Sequence, residues 1–148
     1  DRELQLRLNS GSRVTLGDRV ESDGRVSITT GYSSQLNIGS GAYFNDGAVI
    51  SCLGKIDIGE NTLFGPGVKI FDNNHRFSRE EGVSRECTAG CITVGRSCWI
   101  ASDVVLLKGT DIGDNCVIGA GCVIRGAVPA GSLVTRSGEQ TTRPIETR

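Results

Sequence analysis

Residues 94–129, VGRSCWIASDVVLLKGTDIGDNCVIGAGCVIRGAVP, place an aliphatic residue at every sixth position: Val94, Ile100, Leu106, Ile112, Ile118 and Ile124. Gly95, Ala101, Gly113 and Gly119 follow four of these, so a small residue stands beside the large one. A helix would show apolar spacings of three and four, and a plain strand would alternate; neither gives this period. A six-residue repeat predicts a parallel β-helix, in which three short strands make a triangular coil and the coils stack into a prism.

Four coil openings share the order aliphatic, any residue, aliphatic, Gly. They are Leu36-Asn37-Ile38-Gly39, Ile56-Asp57-Ile58-Gly59, Ile92-Thr93-Val94-Gly95 and, with Thr110 in the first slot, Thr110-Asp111-Ile112-Gly113. Val94 to Ile112 is 18 residues, one full coil, and Ile38 to Ile58 is 20, one coil with two extra at a corner. Ile58 to Val94 is 36, which leaves 18 residues that no coil needs. A long loop at about residues 71–91, FDNNHRFSREEGVSRECTAGC, must hold them, and it contains His75, the only histidine of the chain. Long excursions from a compact domain are commonly functional.

The 148 residues predict one β-helix domain over 1–148. Residues 1–15 form an N-terminal strand whose Leu4, Leu6 and Leu8 alternate toward one covered face. Coils run over 16–135, interrupted at 71–91, and 136–148 is a polar tail or arm. The 21 glycines, absence of Met and 5% aromatic content suit a narrow aliphatic interior with tight corners. A net charge of -1 supplies no surplus to neutralise phosphates, so nucleic acid is not an expected partner. No apolar run is long enough for a membrane span, and DRELQLRLNS lacks the apolar core of a signal peptide. Cys98, Cys116 and Cys122 all fall in the fifth place of a repeat, where Val104 and Val128 stand in neighbouring ones. They read as buried small hydrophobes, and reduced thiols in a cytoplasmic protein are expected.

CWIASDVVL, IGDNCVIGAGCVI and VPAGSLV, preceded by FNDGAVI, FGPGVKI and NNHRFS, closely resemble the hexapeptide-repeat acetyltransferases of the maltose, galactoside, xenobiotic and polysaccharide O-acetyltransferase type. The resemblance covers about Leu36 to Val134. It implies an all-β, left-handed parallel β-helix, typically a homotrimer with active sites between subunits, using acetyl-CoA as co-substrate and no metal.

It also implies roles. His75 falls on the loop histidine that takes the proton of an acceptor hydroxyl during attack on the thioester. Imidazole suits this because it titrates near working pH, and an alcohol attacks slowly unless its proton leaves. A histidine needs an acceptor on its other nitrogen. Asp72 is the nearest carboxylate in sequence, and Glu80, Glu81 and Glu86 read as solvated loop charge. Asn45, with Asp46 as companion, matches an acceptor-contacting asparagine, while Trp99 lines the acceptor and acetyl-CoA cleft. Ala101, Ser102, Ala120 and Gly121 match the small residues along which the pantetheine lies. Relatives carry a lysine before the proline of the last coil. Arg125 stands one place away from it, and Arg136 and Arg143 are other candidates for the nucleotide phosphates.

Three rival readings bear on this expectation. A catalytic zinc of the γ-class carbonic anhydrase type needs three histidines, and Cys87 and Cys91 alone make a poor site. N-acetylation of an amino sugar uses the same attack, and an inactive scaffold would keep the coils without the site. The expected activity is acetyl transfer from acetyl-CoA to a hydroxyl of a sugar or surface polysaccharide by direct attack, with Cys52 as the one rival nucleophile for a covalent route.

Overall fold

The computed structural model describes residues 3–137 and 139–144. Each coil lays one strand on each of three faces. The first comprises β1 (Glu3–Arg7), β2 (Arg13–Leu16) and β3 (Glu21–Ser22), and the second β4 (Arg25–Thr30), β5 (Gln35–Ile38) and β6 (Tyr43–Phe44). The third has β7 (Ala48–Cys52), β8 (Lys55–Ile58) and β9 (Leu63–Phe64). The fourth begins with β10 (Lys69–Phe71) and leaves the prism as β11 (Asn73–Ser78) and β12 (Gly82–Ala89). It resumes with β13 (Cys91–Val94) and β14 (Trp99–Ile100). The fifth contains β15 (Val105–Leu107), β16 (Asp111–Ile112) and β17 (Val117–Ile118). The sixth contains β18 (Val123–Ile124), β19 (Ala127–Val128) and β20 (Ser132–Ser137), and β21 (Glu139–Pro144) turns back antiparallel on β20.

Face 1 is therefore the sheet β1-β4-β7-β10-β15-β18, and face 2 is β2-β5-β8-β13-β16-β19. Face 3 is β3-β6-β9-β14-β17-β20, with β21 at its edge. The coil-to-coil pairings are parallel, as in Val94 with Ile112 and Ile58 with Val94, which is the register the residue count demands. The described residues form strands and turns without helix, so the expected all-β left-handed parallel β-helix matches the observed architecture.

The repeat works through columns. Ile38, Ile58, Val94, Ile112 and Val128 stack on face 2, and Phe44, Phe64, Ile100, Ile118 and Val134 on face 3, all pointing inward and none more than 4% exposed. Burying each such side chain contributes roughly 1.5–3 kcal/mol. Phe44 and Phe64 stack with centroids 4.6 Å apart. The glycine after the aliphatic is required by the stacking distance: a Cβ on Gly95 would stand 2.5 Å from the Gly113 carbonyl carbon of the next coil. Two places further on the backbone turns through the left-handed region, at Ser97, Asp103 and Asn115 with φ of 54° to 57°. Asn and Asp tolerate that region better than most residues.

The fifth place is buried at Cys98, Val104, Cys116 and Cys122, as expected, whereas Val128, expected in that place, pairs with Ile112 in the face 2 column because the last coil is two residues short. Thr62 and Thr110 also occupy the fifth place, and their hydroxyls donate to Gly95 O at 2.8 Å and Ile124 O at 2.9 Å. The N-terminal strand is the first strand of face 1, pairing β1 with β4. The apolar side expected to be covered is instead open. Leu4 and Leu6 remain about half exposed and, with Val14 and Leu16, line an open cavity of about 130 Å³.

Candidate active site

The residue count called for a loop at 71–91, and the chain there forms a β-hairpin, β11 and β12, rising from the edge between faces 1 and 2. Its root is held from several directions. Asp72 is fully buried and accepts the N–H groups of Leu53 at 2.8 Å and Gly54 at 2.7 Å. Asn73 Nδ2 donates to Ser51 Oγ at 3.1 Å, and Lys108 Nζ, from the coil above, donates to Thr88 Oγ1 at 2.9 Å. Gly54 lies so close to the Gly90 carbonyl that a Cβ would overlap it.

His75 lies on β11, solvent-exposed, opposite Cys87 on β12. Its Nδ1 is 3.1 Å from Ser84 O and 3.5 Å from Cys87 Sγ. The expectation that Asp72 orients His75 is corrected here. The Asp72 carboxylate is turned into the prism and taken by Leu53, Gly54 and Asn73, because burial forces a carboxylate onto the nearest unpaired donors. Glu86 pairs with Arg76 at 3.4 Å, both well exposed. Ser84 and Cys87, the actual neighbours of the ring, are not among the residues the resemblance pointed to. The REEG turn between two strand-like runs signals the hairpin in the sequence, but a regular register from it would set Arg85, not Ser84 or Cys87, opposite His75.

Cys52 is ill suited to nucleophilic attack. Desolvation, and next the adjacent Asp72 charge, push its thiol up to about 12, and Sγ donates to Gln35 O at 3.3 Å. A thiol so held carries almost no thiolate at neutral pH.

The other expected residues gather along a different edge, between faces 3 and 1. Gly67 N donates to Asp46 O, Asp103 N to Pro66 O and Gly121 N to Ser102 O, each at 2.9 Å. These bonds stack the corners bearing Asn45 and Asp46, Ala101 and Ser102, and Ala120 and Gly121 one above another. Asp46 is tied down, its Oδ1 accepting the Arg25 N–H at 2.7 Å, while Asn45 Oδ1 accepts the Asp46 N–H at 2.8 Å. Trp99 points outward on face 3, 54% exposed, in a column with Tyr43, Leu63, Val117 and Leu133.

The basic candidates divide between the edges. Arg136 reaches this small-residue edge, its Nη1 3.5 Å from where a Cβ on Gly121 would stand. Burial raises the Cys122 thiol and the Arg136 charge opposes it. Arg125 sits on the hairpin edge of the sixth coil, between β18 and β19. The side chain of Arg143 lies outside the described residues, as do the tail residues 145–148. Within one chain, then, His75 and Asn45 belong to different edges.

Comparison with known proteins bears on the family and the fold. Residues 91–126 match the family model described as bacterial transferase hexapeptide (six repeats). The chain is 36% identical over 98 residues to the galactoside O-acetyltransferase of Escherichia coli (strain K12), covering 66% of this chain and 48% of that protein. The chain thus spans about half the length of that relative. It is 26% identical over 136 residues to a putative lipopolysaccharide biosynthesis O-acetyl transferase of the same organism, covering 78% of this chain and 69% of the relative. Among solved structures, a galactoside acetyltransferase in complex with coenzyme A superposes with a TM-score of 0.67. It shares 24% identity, over 92% of this chain and 66% of that one, which speaks for the fold.

Proposed function

We propose, from the premise that residues 91–126 are bacterial transferase hexapeptide repeats, that the protein transfers acetyl from acetyl-CoA to a hydroxyl of a sugar or surface polysaccharide. The observation that carries this reading is the placement of the only histidine, on a firmly rooted hairpin with its ring exposed. The relatives' names, a galactoside O-acetyltransferase and a putative lipopolysaccharide O-acetyl transferase, support the acceptor class.

In the proposed reaction His75 takes the hydroxyl proton as the acceptor oxygen attacks the thioester carbon directly, and the coenzyme A thiolate leaves. The buried, proton-retaining Cys52 favours this direct route over a Cys52 acyl-enzyme. The small edge at Ala101, Ser102, Ala120 and Gly121 receives the pantetheine, flanked by Trp99, with Arg136 toward the phosphates. Asn45 contacts the acceptor, while Asp46 holds the corner.

Because His75 and Asn45 stand on different edges, a working site joins the hairpin of one copy to the Asn45 edge of another in a homotrimer. The outward columns support such contact. Face 3 carries Leu63 and Trp99, and face 1 carries Val49, Val105 and Val123, whereas face 2 shows Asn37, Asp57, Thr93 and Asp111. Exposed apolar stripes of this kind mark association surfaces. We place the protein in the cytoplasm, where buried thiols such as Cys98, Cys116 and Cys122 stay reduced.

The test is acetyl transfer screened over sugars with the wild type and His75→Ala. General-base assistance is worth about 10²–10⁴-fold, so the variant loses that much turnover while retaining its assembly by light scattering. Near-normal turnover of the variant would overturn the assignment.

A further inference from the structure

The hairpin that carries His75 is irregular at one point. Pairing runs Asn73 with Ala89, Asn74 with Thr88 and His75 with Cys87, then resumes as Phe77 with Val83 and Ser78 with Gly82. Between these registers a single residue of β11, Arg76, faces three of β12: Ser84, Arg85 and Glu86. Two extra residues in one strand make a bulge, a device that re-aims groups beside functional sites.

Here the re-aimed group is the Ser84 carbonyl, which leaves the ladder and comes to 3.1 Å from His75 Nδ1. The bulge is itself held in place. Ser84 Oγ accepts the Glu86 N–H at 3.1 Å, and the Arg76–Glu86 ion pair crosses it at 3.4 Å. A carbonyl oxygen can only accept. A hydrogen bond at 3.1 Å therefore requires the proton on Nδ1, and in the neutral ring the lone pair is then on Nε2. Cys87 Sγ, 3.5 Å from the same nitrogen, becomes a weak second acceptor for that proton.

We propose that Ser84 is the positioning residue for His75: the bulge turns its carbonyl onto Nδ1, commits the ring to the Nδ1–H tautomer and leaves Nε2 as the proton-accepting atom. The proposal rests on the reading of His75 as general base and deepens it. A backbone carbonyl takes the role usually sought in a carboxylate, which is why no loop carboxylate contacts the ring.

The chain has one histidine, so its ring nitrogens give an unambiguous signal in 15N-edited NMR of the intact protein. Long-range nitrogen–proton couplings above the titration range should show a protonated Nδ1 and an unprotonated Nε2. A ring in the Nε2–H tautomer would overturn the proposal without any appeal to activity. Deleting Ser84 and Arg85 leaves Arg76 opposite Glu86 and a regular two-stranded hairpin. That variant should keep its assembly and its affinity for coenzyme A, show mixed tautomers, and lose about 10- to 100-fold in turnover, the usual cost of losing a group that orients a functional histidine. Retained tautomer and turnover in the deletion would overturn the proposal. Near-normal turnover of His75→Ala with the Nδ1–H tautomer intact in the wild type would instead remove the general-base reading and leave the positioning geometry standing.

Discussion

Asp72 Oδ2 accepts the backbone N–H of Gly54 at 2.7 Å, from the coil below the hairpin it introduces. With Leu53 bonded to the other oxygen at 2.8 Å, the carboxylate fastens the hairpin to the prism. Asp72→Ala orphans two donors near a fully buried position, at a cost of about 1–3 kcal/mol each. The urea midpoint should fall accordingly, and turnover should fall with it as the root loosens. Asp72→Asn, which keeps one acceptor oxygen, should lie between. An unchanged midpoint in Asp72→Ala would show that the carboxylate does not anchor the hairpin.

Thiol reactivity should divide the cysteines by position. Cys52, Cys98, Cys116 and Cys122 are buried, whereas Cys91 is exposed and Cys87 half-buried on the hairpin. A disulfide reagent at pH 8 should therefore label Cys87 and Cys91, as read by mass spectrometry of peptides. An adduct on Cys87, whose sulfur is 3.5 Å from His75 Nδ1, should abolish transfer. Cys87→Ser should then be labelled at Cys91 with activity retained. Inactivation of that variant by the same reagent would place the sensitive thiol elsewhere.

The buried thiols also set a pH dependence of stability. Cys52 in the folded protein titrates at about 12, well above an ordinary thiol, and burial raises Cys98 and Cys122 in the same direction. The unfolded chain thus releases these protons first, so stability is full below the ordinary thiol range and falls as pH rises from about 9 toward 12. Cys52→Ala should flatten that decline in urea midpoints measured over this range, without removing it, since Cys98 and Cys122 remain. An equal slope in the variant would contradict the assignment to Cys52.

The prism was legible in the sequence because its period arises from one repeated contact. Along face 2 the inward Ile38, Ile58, Val94 and Ile112 are each followed by a glycine, as the fit of Gly95 against Gly113 demands. The length of the excursion was legible for the same reason, since Val94 pairs with Ile58 only if the intervening 18 extra residues leave the prism. What the sequence could not show was direction. Asp72 is three residues from His75, yet its side chain points into the core, because the strand ends there and two backbone donors lie open beneath it. Ser84 contributes a backbone atom, to which its side-chain identity gives no clue, and it reaches His75 only through a register shift. Arg125 and Arg136 likewise read alike in sequence, and only the coil count puts them on different edges.

That last separation yields a measurable difference. Arg136 stands beside Gly121 on the edge proposed for the coenzyme, and Arg125 stands on the edge that bears the hairpin. If the phosphates lie against the small-residue edge, Arg136→Ala loses a charged hydrogen bond worth about 1.5–3 kcal/mol, which is roughly 10- to 100-fold in coenzyme affinity. The loss should appear in KM for acetyl-CoA and in calorimetric binding of coenzyme A, with kcat little changed, because phosphate contact is uniform through the reaction. A coenzyme lacking its 3′-phosphate should narrow the gap between wild type and Arg136→Ala if that group is the partner. Arg125→Ala should alter KM by less than Arg136→Ala. The reverse order would move the nucleotide to the hairpin edge and, with it, the face of the prism that receives the cofactor.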